Sequence, residues 1–174
     1  HDLLSFFYDR FKVYLKDEGY RFDYIEAILA SEIDDDLVRI ELRIKALCIF
    51  FDTKDGEELL TTYRRAVNIL NIAEKNDKKS YEQQPNFSKF VQSEEIELYD
   101  EFEENAEEFT EFLKAEDYHG AMNILTKLRK PIDNFFEKVT VNSDQTDLRE
   151  NRLRLLANAR KMLSKIADFS KIEA

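Results

Sequence analysis

The stretch TDLRENRLRLLANARKMLSKIA, residues 146–167, decides the fold. At about 100° per residue, its apolar side chains fall on one side of an α-helix. They are Leu148, Leu155, Leu156, Ala159, Met162, Leu163 and Ile166. The stretch therefore predicts a long helix with one side in the core of a helical protein.

Donor side chains crowd the start of this helix. Arg152 falls within the apolar stripe, Asn151 falls at its edge and Arg149 falls outside it. A cation on an apolar stripe has to be paired or has to reach solvent. Two interpretations stay open: a buried ion pair with an acid such as Asp133 or Asp144, or a set of donors presented to a ligand near the positive end of the helix dipole.

Helical periodicity continues along the rest of the chain, which has only three glycines and two prolines in 174 residues. Helices are expected at about 3–16, 23–30, 37–51, 57–74, 93–115, 117–128 and 146–167, with a short one opened by Pro131. The helix at 37–51 has apolar residues on several sides and is expected at the centre. In the helix at 93–115 the expected core stripe is Ile96, Tyr99, Phe102, Ala106, Phe109 and Leu113. The pattern predicts one all-α domain over 1–174, a bundle of about seven to eight helices with a mobile loop at about 76–90.

The net charge of −11 is awkward for a nucleic-acid-binding protein, which usually has a basic surface. Many of the acids belong to 93–115, so this helix could face away from an anionic partner. No apolar run reaches the roughly 18–20 residues of a membrane span, and the single Cys48 gives no disulfide framework. The start at His1, without Met, suggests a piece of a longer chain.

A second row of donors lies on the helix at 57–74. Arg64, Asn68, Asn71 and Lys75 are spaced by four, three and four residues and form one ridge without an acid. Such a ridge is either an ordinary solvated face or a surface for phosphates and base edges. A nucleophile paired with a base, or a metal-ligand spacing, is not found in the sequence, so a hydrolase has no support.

Five stretches carry a resemblance to a known family: FFYDRFKVYL (6–15), YRRAVNIL (63–70), PIDNFFEKVTVN (131–142), LRENRLRLL (148–156) and ADFSKIEA (167–174). In this order and spacing they resemble the C-terminal part of the β subunit of bacterial glycyl-tRNA synthetases. That part is a helical anticodon-binding domain of the DALR type, shared with arginyl-tRNA synthetases.

The resemblance implies a class II glycine–tRNA ligase of two α and two β chains that acts in the cytoplasm with ATP and Mg²⁺. This domain would bind the anticodon stem-loop of tRNA-Gly, without a catalytic group, a cofactor or a membrane partner of its own. The choice of candidate tRNA-binding residues rests on helical geometry combined with the positions of the matched stretches. They are Arg64, Asn68, Asn71, Lys75, Asn142, Arg149, Asn151 and Arg152.

Two rival interpretations remain open. One is the anticodon-binding domain of an arginyl-tRNA synthetase, against which the ending ADFSKIEA argues. The other is a helical protein-interaction module whose acidic helix binds a basic partner. Phe135 and Phe136 stand in an apolar run and are expected in the core rather than as stacking platforms for bases.

Overall fold

The computed structural model describes residues 2–31 and 34–173, which form helices joined by short links. The helices are α1 (Asp2–Asp17), α2 (Phe22–Leu29), α3 (Leu37–Phe51), α4 (Lys54–Asp77), α5 (Ser93–Lys114), α6 (Tyr118–Lys138) and α7 (Thr146–Ser164). Two single-turn 3-10 helices lie at Phe87–Lys89 and Phe169–Lys171. The described residues contain no strand, so the prediction of an all-α bundle is confirmed, with seven α-helices.

Short polar side chains set the helix starts, because the first turn of a helix has N–H groups without intrahelical partners. Asp36 accepts hydrogen bonds from the N–H groups of Val38 and Arg39, at 2.9 and 3.1 Å. Asp117 likewise accepts from the N–H of Gly120, at 2.8 Å. These caps fix where α3 and α6 begin.

Helices α4 to α7 form the half of the bundle that carries the candidate site. Helices α4 and α5 each pack against both α6 and α7, so α4 and α5 stand at opposite corners of this four-helix unit. Helix α7 is buried along most of its length, including Leu153, Leu155 and Leu156 at 0% exposure. The predicted core position of α7 is therefore confirmed.

A closing segment, residues 165–173, folds back over α2, α3 and α4. The N–H of Asp168 donates to the carbonyl of Ala27 at 2.8 Å, and the guanidinium of Arg43 donates to the carbonyl of Ile166. Phe169 is fully buried, with its ring centroid 5.6 Å from that of Phe51 and 5.3 Å from that of Tyr63. The segment thereby completes the core between the first and second halves of the chain.

Two sequence predictions about the helices are wrong. Pro131 does not open a separate helix, since α6 runs through it from Tyr118 to Lys138. The proline removes one backbone donor, but Leu128 and Ile132 on either side of it are buried and hold the helix in place. The centre of the bundle is not α3, because Val38 and Ile49 are 68% and 58% exposed.

Among the described residues, no helix combines the length and the hydropathy needed to cross a bilayer.

Candidate nucleic-acid interface

The middle of α4 carries donors without acids, and Glu74 and Asp77 follow in its last turn. No Asp or Glu occurs between residues 61 and 73, and Asn68, Asn71 and Lys75 are exposed. Arg64 is half-buried, and its guanidinium donates to the carbonyl of Ile172 in the closing segment. Three of the four predicted ridge residues are thus available to a ligand, while Arg64 is partly engaged within the fold.

The start of α7 brings a second group of donors to the end of α4. Arg149 donates from Nη1 to Oδ2 of Asp77 at 2.7 Å and from Nε to Oδ1 of the exposed Asn142 at 3.4 Å. The Tyr81 hydroxyl also donates to Asp77. Hydrogen bonds from Tyr81 and then from Arg149 lower the pKa of Asp77 below its ordinary value. The carboxylate therefore stays charged and fixes the direction of the Arg149 side chain.

Helices α4 and α7 lie antiparallel, which places the two donor groups on a common face. Arg149 meets Asp77 at one end, while Arg160 bonds Glu74 and Asn71 further along, at 2.8 and 3.3 Å. A cavity of about 310 Å³ opens on this face, lined in part by Asn71 and Arg160. We call this surface the α4–α7 face. It contains Asn68, Asn71, Lys75, Asn142 and Arg149.

Arg152 does not reach this face, because it is 5% exposed and fully engaged. It donates to Oε1 of Glu95 at 2.8 Å, to the carbonyl of Thr140 at 2.8 Å and to Oε1 of Gln92 at 3.0 Å. Of the two interpretations, the buried ion pair is the one observed. The partner is Glu95 on α5, and the two predicted partners, Asp133 and Asp144, are wrong.

Glu95 is fully buried, and opposing effects act on its carboxyl group. Burial raises its pKa, but hydrogen bonds from Arg152 and from the N–H groups of Gln92 and Val91 outweigh burial. The pKa of Glu95 therefore lies below the ordinary value for glutamate. The carboxylate is ionised at neutral pH and ties the start of α5 to the middle of α7.

Asn151 is likewise buried, at 1% exposure, and its amide clamps one residue of the segment between α4 and α5. Its Nδ2 donates to the carbonyl of Asn86 at 3.0 Å, and its Oδ1 accepts from the N–H of Asn86 at 2.7 Å. With their polar groups turned inward, Asn151 and Arg152 have little surface for a ligand. Direct RNA contact by these two residues stays a prediction, and the geometry favours a positioning role for both.

The acids of α5 lie at the corner of the bundle opposite α4. Their exposed members are Glu97, Asp100, Glu103, Glu104, Glu107, Glu108 and Glu111. The donors of the α4–α7 face and the largest share of the excess negative charge are therefore on different sides. This separation explains how a chain with a net charge of −11 can still offer a surface to an anion.

Sequence reasoning missed the contribution of residues 78–90, which it treated as a loop. Tyr81 is 1% exposed, Glu82 pairs with Arg160, and Asn86 is held by Asn151. Mobility of this segment stays a prediction, but these contacts argue for an anchored segment. The Asn-Phe-Ser-Lys order at 86–89, an N-cap residue followed by a short turn, is a local signal that could have revealed it.

Side chains able to hold a metal do not cluster within the part of the chain that the structure describes. Phe135 and Phe136 are 0% and 8% exposed, which confirms their expected place in the core.

Comparison with known proteins gives consistent matches. The profile of the family described as "DALR anticodon binding domain" matches residues 59–174. The chain is 48% identical over 173 residues to the "Glycine--tRNA ligase beta subunit" of Rhodospirillum centenum, an alignment that covers 99% of this chain and 24% of that protein. It is 44% identical over 173 residues to the protein of the same name from Ruegeria sp., covering 99% of this chain and 25% of the relative. The chain thus spans about a quarter of the length of these curated relatives.

Proposed function

The chain belongs to the DALR anticodon-binding domain family, and we therefore propose that it binds the anticodon stem-loop of a tRNA. The observation that carries the proposal is the α4–α7 face. Its amides and cations stand together on α4 and at the start of α7, and the acidic side of α5 is turned away from them. An anionic, single-stranded loop needs this separation of charge.

The residues of the α4–α7 face suit contacts with base edges and contacts with phosphates. The amides of Asn68, Asn71 and Asn142 can each donate to and accept from a base edge. Lys75 and Arg149 can hold phosphates, since Lys75 is exposed and the Arg149 side chain is 22% exposed beside Asp77. Arg64 contributes less directly, because it also bonds the closing segment.

For the longer protein we propose glycine–tRNA ligase activity, on the strength of the relatives' names. It would be a class II enzyme that uses ATP and Mg²⁺ in the cytoplasm, assembled from two α and two β chains. The present domain would hold tRNA-Gly without taking part in the chemistry. Its cofactors and active site would belong to other parts of the enzyme.

Binding of an anticodon stem-loop hairpin tests the proposal directly. Lys75→Ala and Arg149→Ala should weaken binding and should each lower the magnitude of the slope of log K against log salt by up to about 0.7, the value for one lost phosphate contact to a single strand. Lys127→Ala is the matched control, because Lys127 is an exposed cation on α6 that faces Glu108 of α5. If all three variants are correctly folded and bind the hairpin as tightly as the original chain does, the α4–α7 face is not the RNA site.

Two further comparisons separate the rival functions. A hairpin with the tRNA-Gly anticodon should bind better than one with an arginine anticodon, and the reverse preference would favour an arginyl-type domain. If instead the chain captures a basic protein through α5 and binds no hairpin, the protein-interaction module is the better description.

A further inference from the structure

An aromatic cluster is formed by the chain segment that joins α4 to α5 and by Tyr99 of α5, and the segment also contacts α7. Phe87 is 53% exposed, and its ring centroid lies 5.8 Å from that of Phe90 and 5.7 Å from that of Tyr99. Phe90 and Tyr99 are half-buried against the core and are 5.5 Å apart. Phe87 thus projects from an aromatic base and keeps a large part of its ring open to solvent.

The turn that carries Phe87 is held on one side by Asn86. Its backbone is bonded twice to the buried amide of Asn151, at 2.7 and 3.0 Å. The Asn86 side chain accepts from the N–H and the hydroxyl of Ser88, at 3.0 and 2.7 Å, and so caps the 3-10 turn Phe87–Lys89. The backbone around Phe87 is therefore fixed from within α7.

The other side of the turn is fixed by the buried ion pair. Glu95 accepts from the N–H groups of Val91 and Gln92, at 2.9 and 2.8 Å, while Arg152 bonds the side chain of Gln92. The two α7 residues that the sequence suggested as RNA donors thus hold the segment that presents Phe87. Because the backbone on both sides of Phe87 is fixed, less freedom is lost when its exposed ring meets a flat partner.

We propose that Phe87 is a stacking platform for one unpaired base of the anticodon loop. This inference rests on the proposed function, and it adds a residue that contacts the RNA by its ring rather than by charge. Aromatic rings are the usual surface on which proteins stack the splayed bases of single-stranded RNA.

The surroundings of the ring favour a nucleotide over an apolar segment of protein. Lys89 follows within the same turn and bonds Asp147 at 3.0 Å, where a phosphate could compete for it. Arg149 stands in the first turn of α7, the helix that also holds Asn86, and it bonds Asn142 in the turn before that helix. The family match over residues 59–174 includes this whole region.

Substitutions at Phe87 separate stacking from simple apolar contact. Phe87→Leu keeps an apolar side chain and removes the aromatic ring, whereas Phe87→Tyr keeps the ring. On an anticodon stem-loop hairpin, Phe87→Leu should lose affinity, by up to the roughly 5- to 150-fold that alanine substitution of a stacking ring costs, and Phe87→Tyr should bind like the original chain. Because the ring is more than half exposed, neither change should alter the fold, which far-UV circular dichroism and thermal melting can check.

Hairpins with one abasic loop position identify the base. One such hairpin should lose about as much affinity for the original chain as Phe87→Leu loses for the intact hairpin, and combining both changes should cost no more than either alone. Equal binding of the intact hairpin by Phe87→Leu and the original chain would overturn the platform and leave the proposed function standing. Failure of the original chain to bind any hairpin would overturn the proposed function itself.

Discussion

Changing Glu95 to Gln tests the buried ion pair that joins α5 to α7. The substitution keeps the size of the side chain and removes the negative charge that faces Arg152 at 2.8 Å. The two side chains are 0% and 6% exposed, so the Arg152 cation would lose its charged partner in a place that water scarcely reaches. Removing one member of such a pair costs about 3–5 kcal/mol of unfolding free energy.

Urea unfolding at pH 7, followed by far-UV circular dichroism, measures this cost. Arg152→Met should be similarly damaging, since it leaves the Glu95 carboxylate buried without its cation. The double variant should lose less than the sum of the two single losses, because no uncompensated charge remains. A double-mutant cycle therefore isolates the pair from the packing of the two side chains.

Glu111→Gln supplies the control on the same helix. Glu111 pairs with Lys114 at 2.8 Å, but both side chains are more than 60% exposed, so the urea midpoint should not move. If Glu95→Gln unfolds at the same urea concentration as this control, the ion pair is not a buried structural contact. Our explanation of why Arg152 is absent from the α4–α7 face would then be refuted.

Three other perturbations have defined outcomes. The lowered pKa of Glu95 predicts that the fold is sensitive to acid. The pKa in the folded chain lies below the unfolded value of about 4.3, so the ionised carboxylate stabilises the fold above that pH, and this stabilisation is lost as the pH falls through the folded pKa. Urea titrations between about pH 7 and pH 3 should show this loss, and Glu95→Gln should remove that part of it. Gly56→Ala should lower the melting temperature, because the new Cβ would lie 2.2 Å from the carbonyl oxygen of Phe50; an unchanged melting temperature would contradict the close approach of α3 and α4. Phe169→Ala should cost about 3–5 kcal/mol in urea unfolding, as expected for a fully buried aromatic ring, and a loss below about 1 kcal/mol would mean that the closing segment is not part of the core.

Local periodicity was enough to predict most helices and their buried sides. On α4, the apolar residues Leu59, Tyr63 and Leu70 recur at helical spacing, and each is buried at 4% exposure or less. The stripe of α5 was predicted less well, since Ala106 is exposed and Asn105 is buried. Asn105 can be buried because its Nδ2 donates to the carbonyl of Glu101, one turn earlier in its own helix, at 2.8 Å. A polar residue that satisfies itself locally is not visible in a pattern of apolar residues.

Long-range partners could not be predicted from spacing. Arg152 and Glu95 are 57 residues apart, and their contact depends on how α5 packs against α7. The sequence indicated correctly that Arg152 needs a partner if buried, but nearby acids were the wrong choice. The same limit applies to Asn151, whose partner Asn86 is 65 residues away in a segment without helical periodicity. Phe87 was missed because periodicity carries no information about a single-turn helix.

The closing segment also has a consequence for how the protein is made. Within this region, α1 to α4 emerge from the ribosome before the later helices. Phe51 and Tyr63 meet their partner Phe169 only after about 90 more residues have been added. At about 5–20 residues per second, that delay is roughly 5–18 s. During this interval the nascent N-terminal half exposes aromatic side chains that are buried in the finished fold. Its final packing is therefore coupled to the last stage of translation of this region, when molecular chaperones have an unfinished core to bind.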